Sequence, residues 1–247
     1  MTDKPPHPSD IPAALALLSR LPLPGVPSAH GGTAWAYPVA GAILGVLAAM
    51  VASLALALGL PAPLAALITL ACAVVMTGAL HEDGLADVAD GFWGGWTRDR
   101  RLEIMRDSQI GTYGVAALAL SLIARWQALT LIMGDGAHWS ALIATAALSR
   151  AAMPALMAAL PHARSDGLSH AVGRPSALRA IIAAGLAVVI ALILLDLRAA
   201  LGACLLTFLA VVFCGALARA RIGGQTGDTL GATQQVAEVA ILISLAA

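Results

Sequence analysis

Charge is what this sequence has least of. Only 11% of its 247 residues are Asp, Glu, Lys or Arg, whereas a soluble domain carries roughly a quarter. Taken with 60% hydrophobic residues and a mean hydropathy of +0.86, the shortage excludes a soluble globule and makes the chain an integral membrane protein. Aromatic residues are also few, at 4%. The apolar mass is therefore mostly Ala, Leu, Val and Ile, and small residues let helices approach closely in lipid. Cys72, Cys204 and Cys214 sit inside apolar stretches with no Cys-x-x-Cys spacing and no neighbouring histidine. They offer no disulfide framework and read as small buried hydrophobes. The formal net charge is zero, so the total says nothing about nucleic-acid or acidic partners and only the placement of charge informs; no nucleic-acid partner is expected. Residues 1–9 hold three prolines and no apolar run, which predicts a disordered tail rather than a signal peptide.

Residues 10–22 are apolar but too short to span, since a transmembrane helix needs about 20 residues. They predict an interfacial or re-entrant helix that ends at the prolines. Between Ala36 and Leu80 there is no charged side chain, and only the turn signals of 59–63 interrupt the run. Two spans follow, over 35–58 and from 64 to about 81. On the simplest reading the second continues as the same helix into the acidic segment beyond it. Further spans are expected over 113–133, 138–160, 177–195, 199–218 and 232–247. The fold class is all-α: a polytopic membrane helical bundle of about seven transmembrane helices plus interfacial helices, in one domain over 1–247. Arginines crowd the even loops, with Arg98, Arg100, Arg101, Arg106, Arg164, Arg174, Arg219 and Arg221, while the odd turns are nearly free of them. By the positive-inside rule the even loops and the N-terminus are cytoplasmic. The acidic segment, the loop at 165–167 and the loop at 223–231 then meet on one face.

Residues 78–114 carry seven of the chain's 14 acidic residues. Asp83, Asp87 and Asp90 fall at i, i+4 and i+7, on one face of a helix, with Glu82 beside them. Like charges so close suit a bound cation, and hard oxygen ligands suit Mg²⁺, with Mn²⁺ the alternative. The plain competing reading is a solvated, charged helix. His81 either binds metal, holds a carboxylate or is a surface group. Asp99, Glu103 and Asp107 form a second stripe interleaved with Arg98, Arg100, Arg101 and Arg106. That stripe is either a surface helix of paired charges or a phosphate clamp. The glycine-rich run to Gly227 opens onto a helix and can offer amides to a phosphate, with Asp228 as its helix cap. Arg125, Arg150 and Glu238 lie within apolar spans, where an unpaired charge costs roughly 3 kcal/mol or more. They read as an intramembrane ion pair or as the lining of a polar cleft, Arg150 lying nearer the cytoplasmic face. Phe92, Trp93 and Trp96 read as interfacial anchors.

His81-Glu82-Asp83-Gly84-Leu85-Ala86-Asp87, Asp90-Gly91, the run from Arg100 to Ser108 and Gly111-Thr112-Tyr113-Gly114 resemble the signature of the cobalamin synthase family, the adenosylcobinamide-GDP ribazoletransferases. The resemblance runs from Ser19-Arg20-Leu21-Pro22 to the stretch from Thr226 to Ala232. It implies a membrane transferase of the last steps of cobalamin biosynthesis. Cobinamide phosphate would pass from adenosylcobinamide-GDP to the 5′ hydroxyl of α-ribazole, or to α-ribazole 5′-phosphate, releasing GMP. In that setting Glu82, Asp83, Asp87 and Asp90 are expected to hold Mg²⁺, with Asp107, Asp228 and Glu103 as catalytic carboxylates. Arg98, Arg100, Arg101, Arg106, Arg150 and Gly227 are expected to bind substrate. The resemblance also implies a prokaryotic cytoplasmic (inner) membrane with the site facing the cytoplasm, and admits other cobalamin-assembly enzymes or a second copy as partners. A CDP-alcohol phosphotransferase is the nearest alternative, but Ala86-Asp87 departs from its alanine-arginine step. A cation transporter needs its acids near the bilayer midplane on broken helices, whereas these sit at a span's end.

Overall fold

The computed structural model describes residues 5–247, so residues 1–4 of the expected tail lie outside the described residues. Among the described residues the chain is helical, apart from a single parallel backbone bridge between His162 and Gln225. Helix α1 (Asp10–Leu18) occupies the short apolar segment, and a 3₁₀ turn at Gly31–Ala36 leads into α2 (Tyr37–Ala57). Then come α3 (Ala62–Thr77), α4 (Leu80–Gly94), α5 (Arg98–Ile104), α6 (Thr112–Gly134) and α7 (His138–Ala159). The chain closes with α8 (Leu168–Val172), α9 (Ala177–Leu194), α10 (Leu197–Ile222) and α11 (Gly227–Ala246).

Six of these, α2 with its 3₁₀ turn, α6, α7, α9, α10 and α11, are long and apolar enough to cross a membrane. A seventh crossing is reached only when α3 and α4 are counted together as one bent span, and here the structure departs from the sequence reading. The second span does not continue into the acidic segment: α3 and α4 meet at 86°. Gly78 ends α3 in the left-handed region, at φ 63°, and Ala79 follows at φ 57°. A side chain on Gly78 would strike Arg20, whose Nε lies 2.6 Å from the position a Cβ would take. Arg20 also donates its backbone N–H to Met76 O at 2.7 Å. The strap after α1 thus holds the break, and α4 lies across the arginine-rich end of the bundle instead of running through it. At about 1.5 Å per residue α3 rises about 24 Å, less than the roughly 30 Å of a hydrocarbon core.

The most enclosed span is α7, 78% buried, with α2, α9, α10 and α11 around it. Outward faces carry exposed Leu54, Val75, Leu120, Ile193, Leu205 and Phe213, the apolar surface a bilayer would cover. Of the three expected aromatic anchors, Trp93 and Trp96 are exposed, but Phe92 is 1% exposed and belongs to the core. Its place on α4 points it inward, among Met105, Leu102 and Ile222.

Candidate active site

Helix α4 is held against α11 by a close approach. A Cβ on Gly84 would lie 2.7 Å from Asp228 O, so only glycine lets the two backbones meet there. That contact fixes the rotation of α4 and decides which carboxylates face what. Asp83 is exposed and Asp87 half-buried, and the Asp87 carboxyl is pushed up to about 7. Burial is the main cause, the charges of Asp228, Asp83 and Asp90 add to it, and Arg164 opposes it. A carboxylate that holds its proton so strongly is one that positive charge would stabilise.

The opposite side is supplied by the first turn of α11 and the loop before α8. Thr226 caps α11: its hydroxyl accepts from Thr229 N while Thr229 Oγ1 accepts from Thr226 N. Asp228 is therefore not the cap, and its Oδ2 lies 3.3 Å from Arg164 NH2 and accepts from Thr226 Oγ1 at 3.2 Å. The two loops are stitched together by Ala163 N to Gln225 O at 2.9 Å and Gln225 N to Pro161 O at 2.8 Å. Arg164 was not singled out from the sequence as a site residue. The signal that could have found it was an arginine just before the Ser165-Asp166-Gly167 turn, in a loop already assigned to the same face. Its NH1 is buried with no hydrogen-bond partner.

The expected metal set divides. Glu82 is 7% exposed and turned into the bundle, where its Oε1 accepts from both Arg125 NH1 and NH2 at 3.0 Å. Arg125 also reaches Glu238 at 3.1 Å, and Arg150 stands 3.9 Å from the same carboxylate. Gln234, Gln235 and Ser149 complete this buried network. The intramembrane ion pair is therefore present and larger than expected, because a buried guanidinium needs compensating charge wherever it can find it. Arg150, expected on substrate, is bound into that network and lines a separate cavity of about 50 Å³.

Asp90 is also engaged elsewhere. Its carboxylate accepts from Gly111 N at 2.7 Å and Gly114 N at 2.9 Å, capping α6 from a neighbouring helix where α6 has no side-chain cap of its own. Asp90→Asn should cost about 1–3 kcal/mol, because one amide would then face an NH₂ group. The loss would be read as a lower unfolding midpoint in detergent.

The second acidic stripe is not a stripe. Helix α5 ends at Ile104, which leaves Asp107 in the following loop, accepting from Gln109 N at 3.1 Å. Glu103 pairs with Arg100 at 2.8 Å on the exposed surface. Arg98 donates to the carbonyls of Ile222 and Ala163, and Arg101 to those of Gly95 and Arg221. Those two arginines tie α5 to α10 and to the loop after α7. Arg106 donates to both oxygens of Asp166 at 2.8 Å, and with Asp107 it lines an open hollow of about 460 Å³. Gly227 lines a second cavity of about 170 Å³ together with Asp83, Arg164 and Asp228.

Asp83, Asp87 and Asp228, with Arg164, are thus the charged groups that share the open side of α4. Their donor chemistry, hard carboxylate oxygens with Asp87 and Asp228 raised in proton affinity mainly by burial and further by neighbouring carboxylates, fits a divalent cation. Among the described residues no three such side chains are already closed into a ligand set.

Residues 10–246 match the family model described as cobalamin-5-phosphate synthase. The chain is 46% identical to the adenosylcobinamide-GDP ribazoletransferase of Mesorhizobium japonicum, over 95% of this chain and 91% of that one. It is 45% identical to the protein of that name from Bradyrhizobium diazoefficiens, over 97% and 94%. For that of Azorhizobium caulinodans the identity is 44%, over 96% and 95%. No solved structure matches. A match along nearly the whole chain, on a bundle whose acids and arginines gather at one end, places this protein in the cobalamin-5-phosphate synthase family.

Proposed function

We propose that the protein joins adenosylcobinamide-GDP to α-ribazole or α-ribazole 5′-phosphate, giving adenosylcobalamin or its 5′-phosphate and GMP, in a Mg²⁺-dependent reaction. The relatives' names support the substrates. The observation that carries the chemistry is the meeting of Asp83 and Asp87 on α4 with Asp228 and Arg164 across the Gly84 contact. The arginine-rich end would face the cytoplasm of a prokaryotic cell.

Asp83 and Asp87 would hold the ion, which when bound supplies neutralisation of the diphosphate and of the leaving GMP. Asp228 stands ready to take the proton of the attacking hydroxyl, and Arg164 fixes its carboxylate at 3.3 Å. The free NH1 of Arg164 is a donor for a phosphate oxygen. Arg106, at the hollow on the other side of α4, is placed to bind the nucleotide end of the donor. A 5′ hydroxyl cannot be the nucleophile for both acceptors, because in α-ribazole 5′-phosphate that oxygen is already esterified and remains so in the product. The attacking oxygen is therefore a secondary hydroxyl of the ribose. It forms a bond to the phosphorus that carries cobinamide, the bond from that phosphorus to the oxygen of GMP breaks, and the hydroxyl proton goes to Asp228.

Turnover by purified protein in detergent, with Mg²⁺ and with EDTA, tests the reading: joined corrinoid and GMP should form in equal amounts and only with the ion. The Asp87 carboxyl adds a pH signature. With its pKa at about 7, above the ordinary value, it is protonated below that pH and competes with the ion for its oxygens. The Mg²⁺ concentration for half-maximal rate should thus fall about tenfold per pH unit from pH 5.5 to 6.5 and level off above about pH 7.5. In Asp87→Asn that pH dependence should disappear; its persistence would assign the titration to another group.

A further inference from the structure

Two cavities flank α4, and Asp83 stands in the wall of both. They differ in chemistry. The 460 Å³ hollow is bordered by Arg106, Asp107, Ser108 and Gln109, polar side chains from an exposed loop. The 170 Å³ cavity lies between α4, α7, α8 and the first turn of α11, and its inner wall is Tyr37, Met153, Met157, Val172 and Leu230. All five are at least nine-tenths buried. Its charged groups, Asp83, Arg164 and Asp228, belong to the reacting groups described above. His81 lines it as well, 2% exposed, with Nε2 lacking any partner.

The geometry points to the 170 Å³ cavity as the seat of the acceptor's base, a flat, largely apolar two-ring heterocycle of the benzimidazole type, with its ribose toward Asp228 and Arg164. This deepens the proposed function and rests on it for the identity of the reaction. Size supports the assignment, since a dry protein cavity of about 150 Å³ accepts a benzene ring. A corrin is far too large for it. Polarity decides between the two remaining ring systems. Guanine carries donors and acceptors around most of its edge, and seating it against Met153, Met157 and Val172 would leave them buried and unpaired. A benzimidazole presents apolar carbon edges to the methionines, which pack well against aromatic rings. Its one bare ring nitrogen is an acceptor, matching the single unpartnered imidazole nitrogen of His81. The guanine of the donor is left to the polar hollow beside Arg106, so the two substrates approach Asp83 from opposite sides of α4.

Two variants and one binding measurement test this. Leu168, 49% exposed at the opening, can become tryptophan without entering the core, and Leu168→Trp narrows the entrance. The KM for α-ribazole should rise about tenfold while that for adenosylcobinamide-GDP stays within about twofold. Met157→Ala enlarges the inner end and should shift preference toward ribosides of three-ring bases. Free 5,6-dimethylbenzimidazole, followed by equilibrium dialysis with the unmodified protein and no donor, should bind, be weakened by Leu168→Trp and be undisturbed by GMP. A rise in the donor's KM instead, displacement of the base by GMP, or acceptor behaviour unchanged in both variants would overturn the assignment. Absence of joined corrinoid from the unmodified protein would overturn the reaction, while the dialysis result would still stand or fall by itself.

Discussion

Asp83→Asn is expected to lower kcat by about a thousandfold or more and to leave the unfolding midpoint in detergent where it was. Asp83 is exposed, stands in both cavity walls and holds no other side chain in place among the described residues. Its charge therefore contributes little to the fold and, on the proposed chemistry, a great deal to the diphosphate. The neighbouring acid should behave in the reverse way. Glu82→Gln keeps the shape of the side chain but halves the charge compensating Arg125, so its first effect should be on stability. Measured side by side, kcat and unfolding midpoint separate two adjacent acidic residues by function. An unchanged kcat in Asp83→Asn would move the ion, and with it the site, away from α4.

Arg125→Leu is expected to destabilise the bundle by about 3–5 kcal/mol, the scale for breaking a buried ion pair by removing one partner. The guanidinium is 1% exposed and contacts both Glu82 and Glu238, so its loss strips Glu82 of its arginine and leaves Glu238 with Arg150 alone in an apolar interior. Adding Glu82→Gln to the variant should recover part of that loss, since the pair is coupled and the two changes are not additive. The midpoint of unfolding in mixed detergent micelles reports both. If Arg125→Leu unfolds no more easily than the parent, the network is not a structural element and the arginine has some other use.

Most of the bundle was readable from composition, because a hydrocarbon core imposes length and polarity on every helix that crosses it. The break at Gly78 and Ala79 was not, since Ala79 has no local preference for the left-handed region, and it takes that conformation in a turn where its N–H closes on Val74 O at 2.9 Å and its carbonyl starts α4. Helical periodicity put Asp83, Asp87 and Asp90 together, and it also put Glu82 about 100° from Asp83. Periodicity does not say which of those directions faces lipid, water or an arginine. That was settled by Gly84 against Asp228, a contact between residues far apart in the chain. Arg98 and Arg101 were expected on phosphate and are found on backbone carbonyls, because the C-terminal ends of α4 and α10 and the loop after α7 expose carbonyls that need donors. Arg164 went unassigned for the converse reason: nothing beside it in sequence announces Asp228.

The position of α11 has a consequence for how the chain is made. It is the last helix in chain order, yet it carries Gln234, Gln235 and Glu238 into the middle of the bundle and Asp228, in its first turn, to the open side of α4. Until it arrives, α6 and α7 sit in the lipid with Arg125 facing Glu82 alone and Arg150 without its carboxylate. A guanidinium in that setting is costly, so docking of α11 relieves the charge that α6 and α7 carry into the apolar interior. On the proposed chemistry, the helix that relieves the buried charge in the bundle is the same helix that brings Asp228 to the open side of α4.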